Sequence, residues 1–215
     1  MNLVFDFGAV LFHWRPARLV AESFPDLATT PAAVRQLAQA IFAHDDWHAF
    51  DCGALTLHAV AARTAQRLAL PQARLLELIA GIGEGLRPIQ GTLGLLAQLR
   101  QRRQQSGDPA LYYLSNMPAI YARTLERKHG FLAWFDGGVF SGDVLCGKPD
   151  PAIYRMLQTR YALDPAQTWF IDDVQRNVDA ACGLGWRGEQ FVSPLRLRSS
   201  LANLLGQQAL NQGKP

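Results

Sequence analysis

The stretch VFDFGAVLF, residues 4–12, sets one acid, Asp6, between two apolar runs. A short run that is apolar on every side chain fits a strand covered on both faces, as in a parallel sheet. Asp6 then stands at the strand's carboxyl end, where open α/β sheets gather their ligands. Gly8 follows two residues later, where a second acid could have stood.

Further strand-like runs follow at wide spacing: ALYYLSN (110–116), GGVFSG (137–142), QTWFIDD (167–173) and a weaker EQFVS (189–193). Helix-period segments separate them: GTLGLLAQLRQRRQQ, MPAIYARTLERKHG, DPAIYRMLQTRYAL and VQRNVDAACGLG. Strands alternating with helices predict an α/β fold, a Rossmann-like parallel sheet with helices on both faces. Residues 15–87 break the alternation with several helical patterns and no strand. Thr30 followed by Pro31 marks one helix start. The gap is too long for a crossover and predicts an inserted all-helical cap over the sheet's carboxyl edge. The expected division is a core of 1–14 and 88–215 with a cap of 15–87. Hinges are expected near Trp14–Pro16 and Arg87–Gln90. The polar tail GQQALNQGKP is expected to fray.

Composition narrows the function classes. The chain has 215 residues, 49% hydrophobic, and a formal net charge of +3, which suits one packed domain with an insert. The densest basic run, RQRRQQ at 100–105, has no interleaved aromatics and is the solvated end of a helix, so no nucleic-acid partner is expected. Three cysteines without a CxxC pair fit reduced thiols in a cytoplasm. Met1 leads directly into LVFDF without a basic leader, so secretion is not expected. No apolar run reaches the ~18 residues of a membrane span.

In this layout polar residues meet at one sheet edge: Asp6, Ser115 and Asn116, and Asp172 and Asp173, with Lys148 in GKPDPAIY. These residue types suit holding a phosphoryl group and a hard divalent cation while Asp6 attacks phosphorus. Mg²⁺ takes oxygen ligands, commonly one or two protein carboxylates plus a phosphate, and Asp6 and Asp173 could supply them. Phosphoryl transfer then needs positioning and charge neutralisation, which Ser115, backbone N–H groups and Lys148 could provide. Only three lysines occur, at 128, 148 and 214, so Lys148 in this motif stands out.

Four segments together, FDFGAV, YLSN, GKPDPAIY and FIDDVQRN, resemble the signature motifs of the haloacid dehalogenase-like hydrolase superfamily. The helical insert resembles its first-type (C1) cap. HWRP (13–16) and FDCGALT (50–56) resemble the sugar-phosphate, or glucose-1-phosphate, phosphatase subgroup. The resemblance implies Asp6 as a nucleophile forming an aspartyl-phosphate and Lys148 as a charge clamp. It implies Asp173 and the Gly8 carbonyl as metal ligands, Asp172 as a water-mediated ligand, and Ser115 and Asn116 as phosphoryl binders. Mg²⁺ is the implied cofactor and a small phosphorylated metabolite, a sugar phosphate, the implied substrate.

Gly8 departs from that pattern, since most phosphatases of the superfamily carry a second Asp there as general acid and base. Such a group contributes ~10²–10⁴-fold in rate. His13, His44, Asp45, Asp46 and His48, near the hinge or cap, are the expected substitutes. Trp14 and Trp47 fit either a substrate cleft or packing, and Asn177 either orients the fourth motif or caps its helix. His58, His129 and Cys146 have ordinary structural readings. Two other functions stay open. A 2-haloacid dehalogenase would displace halide with Asp6 and needs no second acid, and a turnover-deficient phosphometabolite-binding homologue would keep the fold and metal site.

Overall fold

The structure is a computed structural model and describes residues 1–206. Apart from Gly206, the tail expected to fray lies outside the described residues. Five strands, β1 (Asn2–Phe5), β2 (Ala110–Ser115), β3 (Gly137–Phe140), β4 (Thr168–Asp172) and β5 (Arg187–Gln190), form one sheet in the order β3-β2-β1-β4-β5. Every neighbouring pair is parallel. Five helices fall between β1 and β2's flanking helix: α1 (Pro16–Ser23), α2 (Pro31–Phe42), α3 (Asp45–Asp51), α4 (Leu57–Leu68) and α5 (Gln72–Gly85). The others are α6 (Gln90–Ser106), α7 (Ala119–Lys128), α8 (Pro151–Arg160), α9 (Gln175–Cys182) and α10 (Pro194–Leu205).

Side-chain alternation divides the core. Val4, Leu114, Val139 and Phe170 face α8 and α9 through Ile153, Tyr154 and Ala181. Leu3, Phe5, Leu111 and Ile171 face the other way, toward α6, α7 and α10. With both faces covered, Leu3, Val4 and Phe5 have 0% exposure. Burying each such side chain contributes about 1.5–3 kcal/mol. The chain builds outward from β1 to β2 and β3, then returns to place β4 and β5 on β1's other side. The carboxyl ends of β1 and β4 therefore flank the point where strand order reverses.

Among the described residues no strand falls between positions 13 and 87. Local signals set the helix starts there. The Thr30 hydroxyl accepts from Ala33 N at 3.1 Å with Pro31 at the first position, and Thr56 accepts from Ala59 N at 3.2 Å. The chain enters and leaves this insert along adjacent paths, His13 N donating to Arg87 O at 2.9 Å and Ile89 N to Leu11 O at 2.8 Å. The expected hinge segments begin at this pairing. The larger apolar cluster continues without a break from Phe5 through Phe12 to Ile41, Val60 and Ile79 in the insert.

The weak fifth strand lies two to three residues earlier than 189–193. β5 is the edge strand Arg187–Gln190, with its first and last residues exposed, so it carries no apolar alternation. Phe191, the residue that looks like a strand core, is buried just after it, its N–H donating to Asp172 O at 2.8 Å. α10 was not anticipated, although Ser193 caps it by accepting from Arg196 N at 3.3 Å and Pro194 opens it. No helix among the described residues is long and apolar enough to cross a membrane.

Candidate active site

Asp6 follows β1, its N–H continuing the ladder to Ile171 O at 2.9 Å. Lys148 reaches it from the loop before α8. Its ammonium donates to Asp6 Oδ1 at 2.7 Å, Asp172 Oδ2 at 2.6 Å and the Leu114 carbonyl at 2.9 Å. All three donor positions are filled, and Lys148 is only 2% exposed. A lysine so enclosed stays charged because two carboxylates face it.

The neighbouring amides hold this arrangement in place. Asn116 accepts from Lys148 N at 2.7 Å and donates to Lys148 O at 2.8 Å. Asn177, inside α9, donates to both Asp172 oxygens at 3.0 and 3.1 Å, and Val174 N donates to Oδ1 at 2.8 Å. Asn177 thus orients the fourth motif. Asn116 lines the cavity beside Asp6, and its side chain also clamps the Lys148 loop. Ser115 is buried at the carboxyl end of β2, directly before Asn116. It stands in register with Phe140 of β3.

Asp6, Gly8, Asn116, Lys148, Asp173 and Asn177 border a cavity of about 260 Å³. Phe12, Trp14, Phe42, Trp47, Ile82 and Leu86 give the same cavity a large apolar lining, with Asp51 and Tyr121 among them. Trp14 and Trp47 stack with ring centres 6.2 Å apart, and Phe42 meets Trp47 edge-on at 4.7 Å. Arg176 stands exposed at the rim.

None of the five expected acid–base substitutes lines the cavity. His13 is exposed and meets Arg15, and His44 caps α3 through Asp46 N at 3.1 Å. Asp45 is exposed, Asp46 pairs with Arg63 at 3.2 Å, and the exposed His48 lies 3.7 Å from Cys52 Sγ. Asp51 lines it instead. It is four residues after Trp47 and therefore on the same helix face, whereas Asp45 and Asp46 belong to the first turn of α3. The spacing of Trp47 and Asp51 places them on one face only once α3 is known to be a helix.

Charge and enclosure set the titration. Burial pushes the Asp6 carboxyl well up, Lys148 opposes this, and Asp172 and Asp173 add to it. Burial, then Asp172, raises Asp173 to about 6. Burial alone would lower Lys148, but Asp172 and Asp6 outweigh it and raise its pKa. Burial and then Asp6 raise Asp51 to about 8, against pulls from Lys148 and the Trp47 indole N–H.

One carboxylate oxygen from each of Asp6, Asp172 and Asp173 lies within 4.8 Å of the others, so three acids face one lysine. That all-oxygen donor set fits a hard divalent cation, whose charge would relieve the repulsion. Asp172 already accepts from Lys148, Val174 and Asn177. Asp6 and Asp173 are the carboxylates left with free oxygens, and Gly8 lines the same wall.

The family model for haloacid dehalogenase-like hydrolases matches residues 2–185. This chain belongs to the haloacid dehalogenase-like hydrolase family. The hydrolase is 27% identical over 203 residues to the sesquiterpene phosphatase astK of Aspergillus oryzae, covering 94% of this chain and 95% of that one. Its fold matches the HAD family enzyme bt-2542 of Bacteroides thetaiotaomicron, solved in complex with magnesium and inorganic phosphate, with a TM-score of 0.65 at 21% identity over 88% and 92% of the chains. The L-2-haloacid dehalogenase of Xanthobacter autotrophicus matches with a TM-score of 0.65 at 18% identity, over 94% and 82% of the chains. At those identities the solved structures speak for the fold alone.

Proposed function

We propose that this hydrolase is a Mg²⁺-dependent phosphomonoester phosphatase with Asp6 as nucleophile. The observation that carries the reading is the cluster of Asp6, Asp172 and Asp173 closed by Lys148. Asp6 and Asp173, with the Gly8 carbonyl, would hold the cation, and Asp172 would act on it through water. When bound, the cation neutralises phosphate charge and aligns the group for in-line attack. The protein's own part begins with Asp6 Oδ2, the oxygen that Lys148 leaves free. It attacks phosphorus, and the aspartyl-phosphate formed is later hydrolysed. Lys148 fixes the nucleophile through Oδ1 and offsets part of the charge. Asn116 and Asn177 keep Lys148 and Asp172 in register. We read 15–87 as a cap whose α2, α3 and α5 side chains close the cavity over the sheet edge defined by 1–14 and 88–215.

A dehalogenase has no use for a cation, whereas three acids and one lysine leave an excess of negative charge that would repel a haloacid carboxylate. The cavity lining bears on the substrate class. A sugar phosphate, the class implied by motif resemblance, needs polar partners for its hydroxyls, which Phe12, Trp14, Phe42, Trp47, Ile82 and Leu86 in the lining do not offer. Together with the name of the Aspergillus oryzae relative, this supports an organic phosphate with an apolar body. Phosphate release from an isoprenoid monophosphate, glucose 1-phosphate and p-nitrophenyl phosphate tests both parts, each with Mg²⁺ and with EDTA. Mg²⁺-dependent release fastest from the isoprenoid ester is expected. Preference for the sugar ester overturns the substrate class, and halide release from 2-chloropropionate without phosphate release overturns the phosphatase.

A further inference from the structure

We propose that Asp51 is the general acid of this site, supplied from the insert in place of the side chain absent at Gly8. The proposal rests on the phosphatase reading above. Among the described residues, the side chains lining the cavity that carry an exchangeable acidic proton are few. Asp6 is the nucleophile, and Asp173 belongs to the cation cluster. Lys148 has its three protons bonded, and an arginine such as Arg176 does not deprotonate. Tyr121 donates its hydroxyl to Ile79 O at 2.6 Å, and burial keeps its pKa well above the ordinary value. Asp51 remains. It does not belong to the cluster of mutually close ligand oxygens, so its carboxyl is not committed to a cation.

Its position is built rather than incidental. The Ser141 hydroxyl donates to the Asp51 carbonyl at 2.6 Å while accepting from Met117 N at 2.8 Å, tying the end of α3 to the loop after β2. Gly53 follows with φ of +76°, and a Cβ there would stand 2.8 Å from Gly142 O. A Cβ on Gly147, next to Lys148, would stand 2.8 Å from Cys52 Sγ. The Ser141 bridge at Asp51 and the close contacts of the next two residues therefore pin the end of α3 to the loops after β2 and β3 and to Gly147 beside Lys148. The charged or titratable groups around it are Asp6, Lys148, Tyr121 and Cys52, with the Trp47 indole beside it. The upward shift of its carboxyl leaves it protonated at neutral pH, in the form the role requires.

The steps balance. Asp6 Oδ2 forms a bond to phosphorus as the bond to the ester oxygen breaks, and the Asp51 proton passes to that oxygen to release an alcohol. Water then attacks the aspartyl-phosphate, its proton returns to Asp51, and phosphate and the free Asp6 carboxylate are regenerated.

Rapid acid quench of the Mg²⁺-loaded enzyme measures phosphoenzyme formation from two esters that differ in their need for a proton. Decyl phosphate releases an alkoxide unless protonated, whereas p-nitrophenyl phosphate releases an acidic phenol. Asp51→Asn is expected to slow phosphorylation by decyl phosphate about 10²-fold or more, and that by p-nitrophenyl phosphate by less than about tenfold. Asp51→Glu should recover part of the decyl rate. Equal losses on both esters, or no loss on decyl phosphate, overturn the proposal. Should Asp51→Asn not fold, Asp51→Ser gives the same comparison. No phosphoenzyme in the wild type from either ester overturns the phosphatase reading and this role with it.

Discussion

A Cβ at position 8 would sit 3.9 Å from Asp6 Oδ2 and 4.0 Å from the Trp14 Cβ, ordinary contact distances. Nothing at the Cβ forbids a side chain there, and the carbonyl that would serve a cation is independent of it. Gly8→Asp is therefore expected to fold. In an Asp51→Asn background it should restore at least about tenfold of the lost decyl phosphate phosphorylation, read by the same quench. A folded double variant with no recovery would count against proton donation as the lost function. The raised pKa of Asp51 fixes the sign of a second effect. A group at about 8 holds its proton below that pH and loses it above, so phosphorylation by decyl phosphate should fall as pH rises past about 8. That limb should vanish in Asp51→Asn, and its persistence there would assign it to another group. At this scale Asp6, Asp172 and Asp173 were legible because strand ends converge whatever the side-chain detail, and Lys148 because it is one of only three lysines and sits in a recognisable motif. Asp51 was not, because its approach depends on how α3 docks. Nor could sequence reveal that Asn116 is committed to the Lys148 backbone.

At the scale of elements, the turn closing α3 governs the proposed acid. Gly53→Ala forces a left-handed residue with a side chain against the Gly142 carbonyl. The backbone strain alone costs about 1–2 kcal/mol, before the clash is counted. Urea denaturation should report that loss, and alkyl phosphate turnover should fall with it as Asp51 is displaced. A Gly53→Ala protein with wild-type stability would contradict the close docking of α3. Helices with sharp start signals were legible, as Thr30–Pro31 shows, and so were strands apolar on both faces. β5 was misplaced because an edge strand needs no such pattern, and the buried Phe191 beyond it mimics one. The seven residues of α3 are too few to display a helical period, which hid the face shared by Trp47 and Asp51.

For the whole molecule, the sheet order brings acids from β1 and β4 together and leaves their repulsion to be met by Lys148 and a cation. Binding a cation to the folded state alone stabilises it, by about 2.7 kcal/mol at a hundredfold excess over Kd. For a chain of this size that is a rise in Tm of roughly 5–10 °C. Thermal melts at pH 7.5 with Mg²⁺ against EDTA should show it, and Asp173→Asn should abolish it. Because Asp173 titrates at about 6, protons compete with the cation below that pH, so the rise should shrink at pH 5.5. Equal rises at both pH values, or an undiminished rise in Asp173→Asn, would place the cation elsewhere. The strand alternation that predicts this sheet is a property of the chain, whereas the aromatic lining of the cavity arises only when Phe12, Trp14, Phe42 and Trp47 meet across the insert. That is why the fold was legible and the aromatic lining was not.

The most direct measurement is to locate the phosphoryl group in enzyme quenched with acid during turnover, by mass spectrometry of its peptides. The account predicts one phosphoryl group on Asp6, formed only with Mg²⁺ present and absent from Asp6→Asn. Turnover with no phosphoenzyme, with the group on another residue, or undiminished in Asp6→Asn would contradict it.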